Sequence, residues 1–98
     1  MKITTPASAG TMESGDIFIE IETSEQPTVE VVLKSSVANE FGKQIVSTIR
    51  SAVEEFGLEN AVINAVDKGA LDCTIRARVF AACQRATGSD SFDWGKNT

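Results

Sequence analysis

Isoleucine stands at positions 17, 19 and 21, with Phe18, Glu20 and Glu22 filling the alternate places. A period of two is the mark of a half-buried strand, because successive side chains leave a pleated chain on opposite faces. Residues 16–23 therefore read as a strand with one apolar face. Residues 28–34 alternate again, with Val29, Val31 and Leu33 on one side and Glu30, Val32 and Lys34 on the other. Ser24 and Pro27 lie between the two runs and mark residues 24–27 as a turn. The two runs are expected to pair as a hairpin with one apolar and one mostly solvated face.

The period then changes to that of a helix. Ser35 or Ser36 can cap it, and apolar residues recur at Val37, Phe41, Ile45, Ile49, Val53 and Phe56, with Val46 and Ala52 beside them. Gly57 is placed to end it. Residues 60–66 are rich in β-branched and small residues and read as a third strand. Asp67 is expected to cap a second helix through residues 70–87, ending at Gly88. Leu71, Ile75, Val79, Ala82 and Ala86 form its core stripe. Cys73, Ala77, Phe80 and Ala81 form a second apolar strip on the far side, expected to dock on another protein with Arg76 near the rim. The alternative is that the N-terminal segment or Trp94 covers Phe80.

The expected order is ββαβα, an α/β (α+β) two-layer sandwich: a small mixed sheet with both helices on one face. If the second and third strands run parallel, their crossover is expected to be right-handed. Residues 1–15 are small and polar and show neither period, so they read as a flexible N-terminal segment. Residues 16–88 form the single domain, and residues 89–98 a tail that is polar apart from Phe92 and Trp94.

Composition limits the chemistry. The 98 residues suit one domain, and 42% of them are hydrophobic, enough for a core. The net charge of −5 argues against nucleic acid, which is bound through Lys and Arg. There is no histidine and no tyrosine, so the commonest general base and the commonest metal ligand are both missing. No catalytic residue and no metal site is expected. The longest apolar run, residues 79–83, is five residues, too short to cross a membrane. No apolar stretch follows Lys2 in the manner of a signal peptide, and the chain is expected in the cytoplasm with reduced thiols. Cys73 and Cys83 share one expected helix, about 15 Å apart, beyond the roughly 7 Å reach of a disulfide.

Ser14 is the residue that stands out. It lies in Gly10-Thr11-Met12-Glu13-Ser14-Gly15-Asp16, just before the first strand. Gly15 permits close approach by another protein, and Glu13 and Asp16 flank the serine with negative charge. A serine without a neighbouring base is a poor nucleophile by itself. It can instead be a target for another enzyme, with Glu13, Gly15 and Asp16 the residues such an enzyme meets. Spacing alone does not separate this from an ordinary solvated loop serine.

Two segments resemble the citrate lyase acyl carrier proteins, or gamma chains. Ala9-Gly10-Thr11-Met12-Glu13-Ser14-Gly15-Asp16 is similar to the family's modification segment, Ala-Gly-Thr-x-Glu-Ser-Ser-Asp. Asp67-Lys68-Gly69-Ala70-Leu71-Asp72-Cys73-Thr74-Ile75-Arg76-Ala77-Arg78 is similar to its Asp-Lys-Gly-Ala-Leu-Asp/Glu-Cys-x-x-Arg-Ala-Arg segment. Phe41-Gly42-x-Gln44-Ile45 and a tryptophan near the C-terminus also agree, so the resemblance spans essentially the whole chain. It departs at Gly15, where the family commonly has a second serine.

The resemblance implies that Ser14 carries 2′-(5″-phosphoribosyl)-3′-dephospho-coenzyme A through a phosphodiester, attached by a separate transferase. It implies partners as well: an alpha subunit that exchanges acetyl for citryl on the arm's thiol, and a beta subunit that cleaves the citryl thioester. The related malonate decarboxylase carrier, whose modified serine has a Gly-Ser-Gly-Asp-like context, is one alternative. A non-carrier assembly or regulatory domain is another.

Overall fold

The computed structural model describes residues 3–35 and 38–88, with side chains from residue 41 onward in the first helix. The elements are β1 (Ala7–Ala9), β2 (Ile17–Glu22), β3 (Val29–Ser35), α1 (Ala38–Phe56), β4 (Ala61–Asp67) and α2 (Asp72–Thr87). The sheet is mixed and four-stranded, in the order β1-β2-β4-β3. Both helices pack on one face, α1 over β3 and α2 over β1 and β2, and against each other. This is the expected two-layer α+β sandwich, with one further strand. Reading residues 1–15 as wholly irregular overlooks β1, whose three residues are too few to show a period.

The hairpin expected between the first two alternating runs does not form. β4 lies between them, antiparallel to β2 and parallel to β3. The physical reason is polarity on the second face. β4 carries Val62, Asn64 and Val66, none of them charged, opposite its buried Ala61, Ile63 and Ala65, and so tolerates a central place better than β3. β3 carries Glu30 and Lys34 outward, which suits an edge. The residues between β2 and β3 pass across the start of β4. There the Ala61 amide donates to the Thr28 carbonyl at 3.2 Å, and the Asn60 side-chain amide to the Ser24 carbonyl at 3.1 Å.

Helix α1 buries Ile45, Ile49, Ala52, Val53 and Phe56, as its period requires. It ends in a Schellman motif: Gly57 adopts φ 95°, its amide donates to Glu54 at 3.1 Å, and the Leu58 amide donates to Val53 at 3.2 Å. Leu58 is buried beside it. Val37, Ser36, Phe92 and Trp94 lie outside the described residues. Phe41, placed on the core stripe by its spacing, is 49% exposed.

Helix α2 begins later than the sequence suggests. Leu71 is its N-cap and lends no side-chain bond. Asp67 instead closes a tight turn, accepting hydrogen bonds from the Gly69 amide at 3.1 Å, the Ala70 amide at 3.0 Å and the Ser35 hydroxyl at 3.1 Å. That turn, with Gly69 at φ 92°, carries the chain away from the sheet before the helix starts. Leu71 consequently leaves the core stripe and is 71% exposed, while Ile75, Val79, Ala82 and Ala86 stay on it.

The far-side strip also divides. Cys73 and Ala77 are exposed, but Phe80 is only 7% exposed and packs on Phe56 with ring centroids 6.3 Å apart. The Arg76 guanidinium sits 5.5 Å from the Phe80 ring centroid and pairs with Glu55. Phe80 is thus a core residue closing the α1–α2 contact, and the expected docking strip loses its anchor. Both cysteines are free, and burial pushes the Cys83 thiol up to about 12. Phe80→Ala is expected to cost about 3–5 kcal/mol in urea unfolding of the isolated chain. An unchanged midpoint would return Phe80 to the surface.

Candidate functional site

Residues 10–16 connect β1 to β2, which pair antiparallel through Ala9↔Ile19 and Ala7↔Ile21. Both ends of this loop are fastened. At the first end Gly10 adopts φ 97°, and a Cβ there would come within 1.8 Å of the Ile17 carbonyl oxygen, so only glycine fits. At the other end Asp16 turns its carboxylate inward and is nearly buried.

Every side of that carboxylate is engaged. Arg78 from α2 grips it through two parallel bonds, Nε to Oδ1 at 3.0 Å and Nη2 to Oδ2 at 2.8 Å. The Ile17 amide donates to Oδ1 at 2.8 Å, and the Thr11 hydroxyl donates to Oδ2 at 2.8 Å. Thr11 in turn accepts the Glu13 amide at 3.2 Å, and the Glu13 carbonyl accepts the Asp16 amide at 3.1 Å. The Arg78 guanidinium above all, then the Ile17 amide, holds the Asp16 carboxyl well below the usual carboxylate range, against the opposing effect of burial.

A second fastening runs through the backbone. The Gly15 amide donates to the Lys68 carbonyl at 2.7 Å, and the Lys68 amide donates to the Asp16 carbonyl at 2.9 Å. The turn closed by Asp67 is thereby stitched to the loop. Within this frame Met12, Glu13, Ser14 and Gly15 face solvent. Gly15 adopts φ 86° with nothing within 4 Å of where a Cβ would stand. Among the described residues, the Ser14 hydroxyl has no hydrogen-bond partner. A hydroxyl so placed is open to another enzyme and has no base beside it to act on its own.

The four residues singled out in sequence thus divide in two. Ser14, Glu13 and Gly15 lie on the exposed tip, whereas Asp16 is the buried tie beneath it. Arg78, its partner, is the residue that sequence reasoning left without a role. The two stand 62 positions apart, and no local period links them. The available signal was that Arg78 falls within the second resemblance segment and Asp16 ends the first. Among the described residues no group of His, Cys, Asp and Glu could hold a metal ion, and no helix is long and apolar enough to cross a membrane.

A family model described as ACP, malonate decarboxylase delta subunit (MdcD), matches residues 4–86, which include both the loop and Arg78. A crystal structure of a Pseudomonas malonate decarboxylase hetero-tetramer in complex with malonate contains a chain of the same fold. It aligns with a TM-score of 0.73 over 84% of each chain at 18% identity. The family match defines a small acyl carrier subunit, a protein that carries rather than catalyses, and the structural likeness shows that the fold is shared.

Sequence relatives narrow the class. The citrate lyase acyl carrier protein of Lacticaseibacillus casei (strain BL23) is 48% identical over 94 residues, 96% of this chain and 92% of its own. That of Latilactobacillus sakei subsp. sakei (strain 23K) is 44% identical over the same shares. That of Clostridium perfringens is 41% identical over 97% of this chain and 94% of its own. The chain belongs to the citrate lyase acyl carrier protein family.

The low-lying Asp16 carboxyl sets a pH dependence. A carboxyl that titrates lower in the folded than in the unfolded chain stabilises the fold fully above its unfolded value, about 4. The contribution is lost as pH falls from there toward the folded value. Asp16→Asn is therefore expected to melt below the parent at neutral pH, with the gap closing progressively below about pH 4. Thermal melts across that range test it, and a gap independent of pH would mean that the ionised carboxylate contributes nothing.

Proposed function

We propose that this chain is the prosthetic-group carrier of a citrate lyase, bearing 2′-(5″-phosphoribosyl)-3′-dephospho-coenzyme A on Ser14. The observation that carries the reading is the contrast at residues 10–16: an exposed serine hydroxyl on a loop whose two ends are locked. The names of its relatives support the acyl carrier role, and their identity over nearly the whole chain supports citrate lyase as its setting. When bound, the group supplies a terminal thiol that holds acetyl or citryl as a thioester.

The chain's own residues do the rest. Ser14 offers its oxygen to the phosphodiester, and the attaching transferase must supply the base, since no described residue contacts that hydroxyl. Glu13 and Gly15 lie beside it on the exposed surface that such an enzyme would meet. Asp16 and Arg78 hold the loop on the domain, so that the arm swings from a defined root. Tethering raises the effective concentration of one acyl group at two separate active sites, those of the alpha and beta subunits. In this reading the attachment loop rises between two strands of the domain, β1 and β2, in place of the separate segment 1–15 that the sequence suggested, and the work is done in the cytoplasm.

One observation favours a second reading. The matching family model and the related fold both come from malonate decarboxylase, whose carrier subunit would serve a different acyl group. The subunits that co-purify with the native chain separate the two.

Intact mass of protein from its native host is expected to exceed the bare chain by one such prosthetic group. Peptide mapping is expected to place it on Ser14, and finding it on Ser8 would overturn the assignment. Ser14→Ala is expected to abolish loading at a stability cost within about 0.5 kcal/mol, as for an exposed residue outside the core. A large drop in melting temperature would make the serine structural.

A further inference from the structure

Phe41 and Leu71 are large, apolar and exposed, and they share one place. Both line a groove of about 530 Å³ between the first turns of α1 and the turn that leads into α2. Gln44, Ala70, Asp67 and Asp72 complete the part of its wall that matters here. The periods of the two helices point both residues at the core, but the sheet ends at Asp67 and the apolar stripes run on past it. The result is an apolar trough with no described element covering it.

The trough adjoins the turn that is hydrogen-bonded to the loop bearing Ser14. The Lys68 backbone bonds to Gly15 and to Asp16, and Gly69 and Ala70 already line the groove. Leu71 is three residues beyond Lys68, at most about 11 Å of chain. A group rooted on Ser14 starts beside the turn whose next residues line this groove, and a nucleotide with a pantetheine chain is long enough to reach it.

Size and charge select the occupant. The volume lies within the range of small-molecule sites, roughly 300–1,000 Å³. Asp72 is exposed at the wall, where it accepts a 3.3 Å hydrogen bond from the Gln44 amide, and Asp67 lies beneath. Two carboxylates oppose the entry of phosphates. Apolar walls with one side-chain amide suit a neutral chain carrying methyl groups, amides and a thioester. Lys68 is exposed on the turn between the Ser14 loop and the groove, where its cation can meet phosphates on the arm.

We propose that the Phe41–Leu71 groove holds the pantetheine and thioester end of the arm on Ser14 while the carrier is between partners. This rests on the reading of Ser14 given above and adds to it a resting place that shields the thioester from water.

The experiment compares the chain made with the transferase, its mass confirming one group on Ser14, with the unmodified chain. Loading and acetylation are expected to shift the NMR signals of the Leu71 methyls and the Phe41 ring. After deacetylation, in a Cys73→Ser background that removes the chain's own exposed thiol among the described residues, the arm's thiol is expected to react with a soluble disulfide reagent at least severalfold more slowly than free coenzyme A, in proportion to the time it spends in the groove. Leu71→Asp puts a favoured N-cap residue at the start of α2 and so keeps the fold. It is expected to bring thiol reactivity up to that of free coenzyme A while leaving loading intact.

Unshifted Phe41 and Leu71 signals in the loaded chain, with a thiol as reactive as the free one, would overturn the groove and leave the role of Ser14 standing. Shifts that arise only when alpha or beta subunits are added would make the groove a docking surface and also overturn it. A chain that gains no mass in the presence of the transferase would sink both readings together.

Discussion

The odd-numbered residues of β2, β3 and β4 all face the helices, and the two registers that join those strands keep it so. β2 meets β4 with Ile19 opposite Ala65 and Ile21 opposite Ile63, and β3 meets β4 with Leu33 opposite Ala65 and Val31 opposite Ile63. Apolar rows therefore run unbroken across the sheet, from Ala9 through Ile19 and Ala65 to Leu33, and from Ala7 through Ile21 and Ile63 to Val31. A slip of one residue in either register would turn a whole strand's apolar set outward and bring charged residues such as Glu20 or Glu30 under a helix. The remaining tertiary contacts are built on this match. Phe56 and Phe80 close the layer above it, and the turn at Asp67 leaves from its end.

The site borrows its order from that frame. A loop of small and polar residues cannot bury enough apolar surface to hold itself. Here it is held by a carboxylate taken out of water and supplied with an arginine fork, an amide and a hydroxyl. The pair is costly to break from one side, because removing Arg78 leaves the nearly buried Asp16 carboxylate without its counter-charge. Two backbone bonds to Lys68 repeat the constraint. What remains free is the tip, and the serine on it points into water with the turn into α2 alongside. For a carrier this division is useful: the root of the arm is fixed, while the atom that bears it is accessible.

Much of this was legible in the chain. The alternation at Ile17, Ile19 and Ile21, the helical recurrence from Ile45 to Phe56, and the glycines at 57 and 88 mark β2, α1 and the ends of both helices almost as observed. Ser14 stands out by its setting and by the resemblance around it. Less legible were features that depend on partners distant in sequence. β1 is too short to show a period. The pairing of β2 with β4 instead of β3 is decided by which strand carries no charge on its outer face. Phe80 looked like part of an exterior strip because helical spacing reports a direction, and the arrival of α1 with Phe56 makes that direction interior.

What the sequence by itself determined is local: which segments alternate, which coil, where glycine must turn the chain, and that no histidine is present to act as base or ligand. These follow from the side chains' own sterics and polarity, which act over a few residues. Tertiary structure decided the strand order, the exposure of Phe41 and Leu71, and the meeting of Asp16 with Arg78. Each of these depends on two segments arriving at the same point in space. The deciding cost, an unpaired charge or an uncovered apolar face, exists only once the sheet and helices have closed on one another.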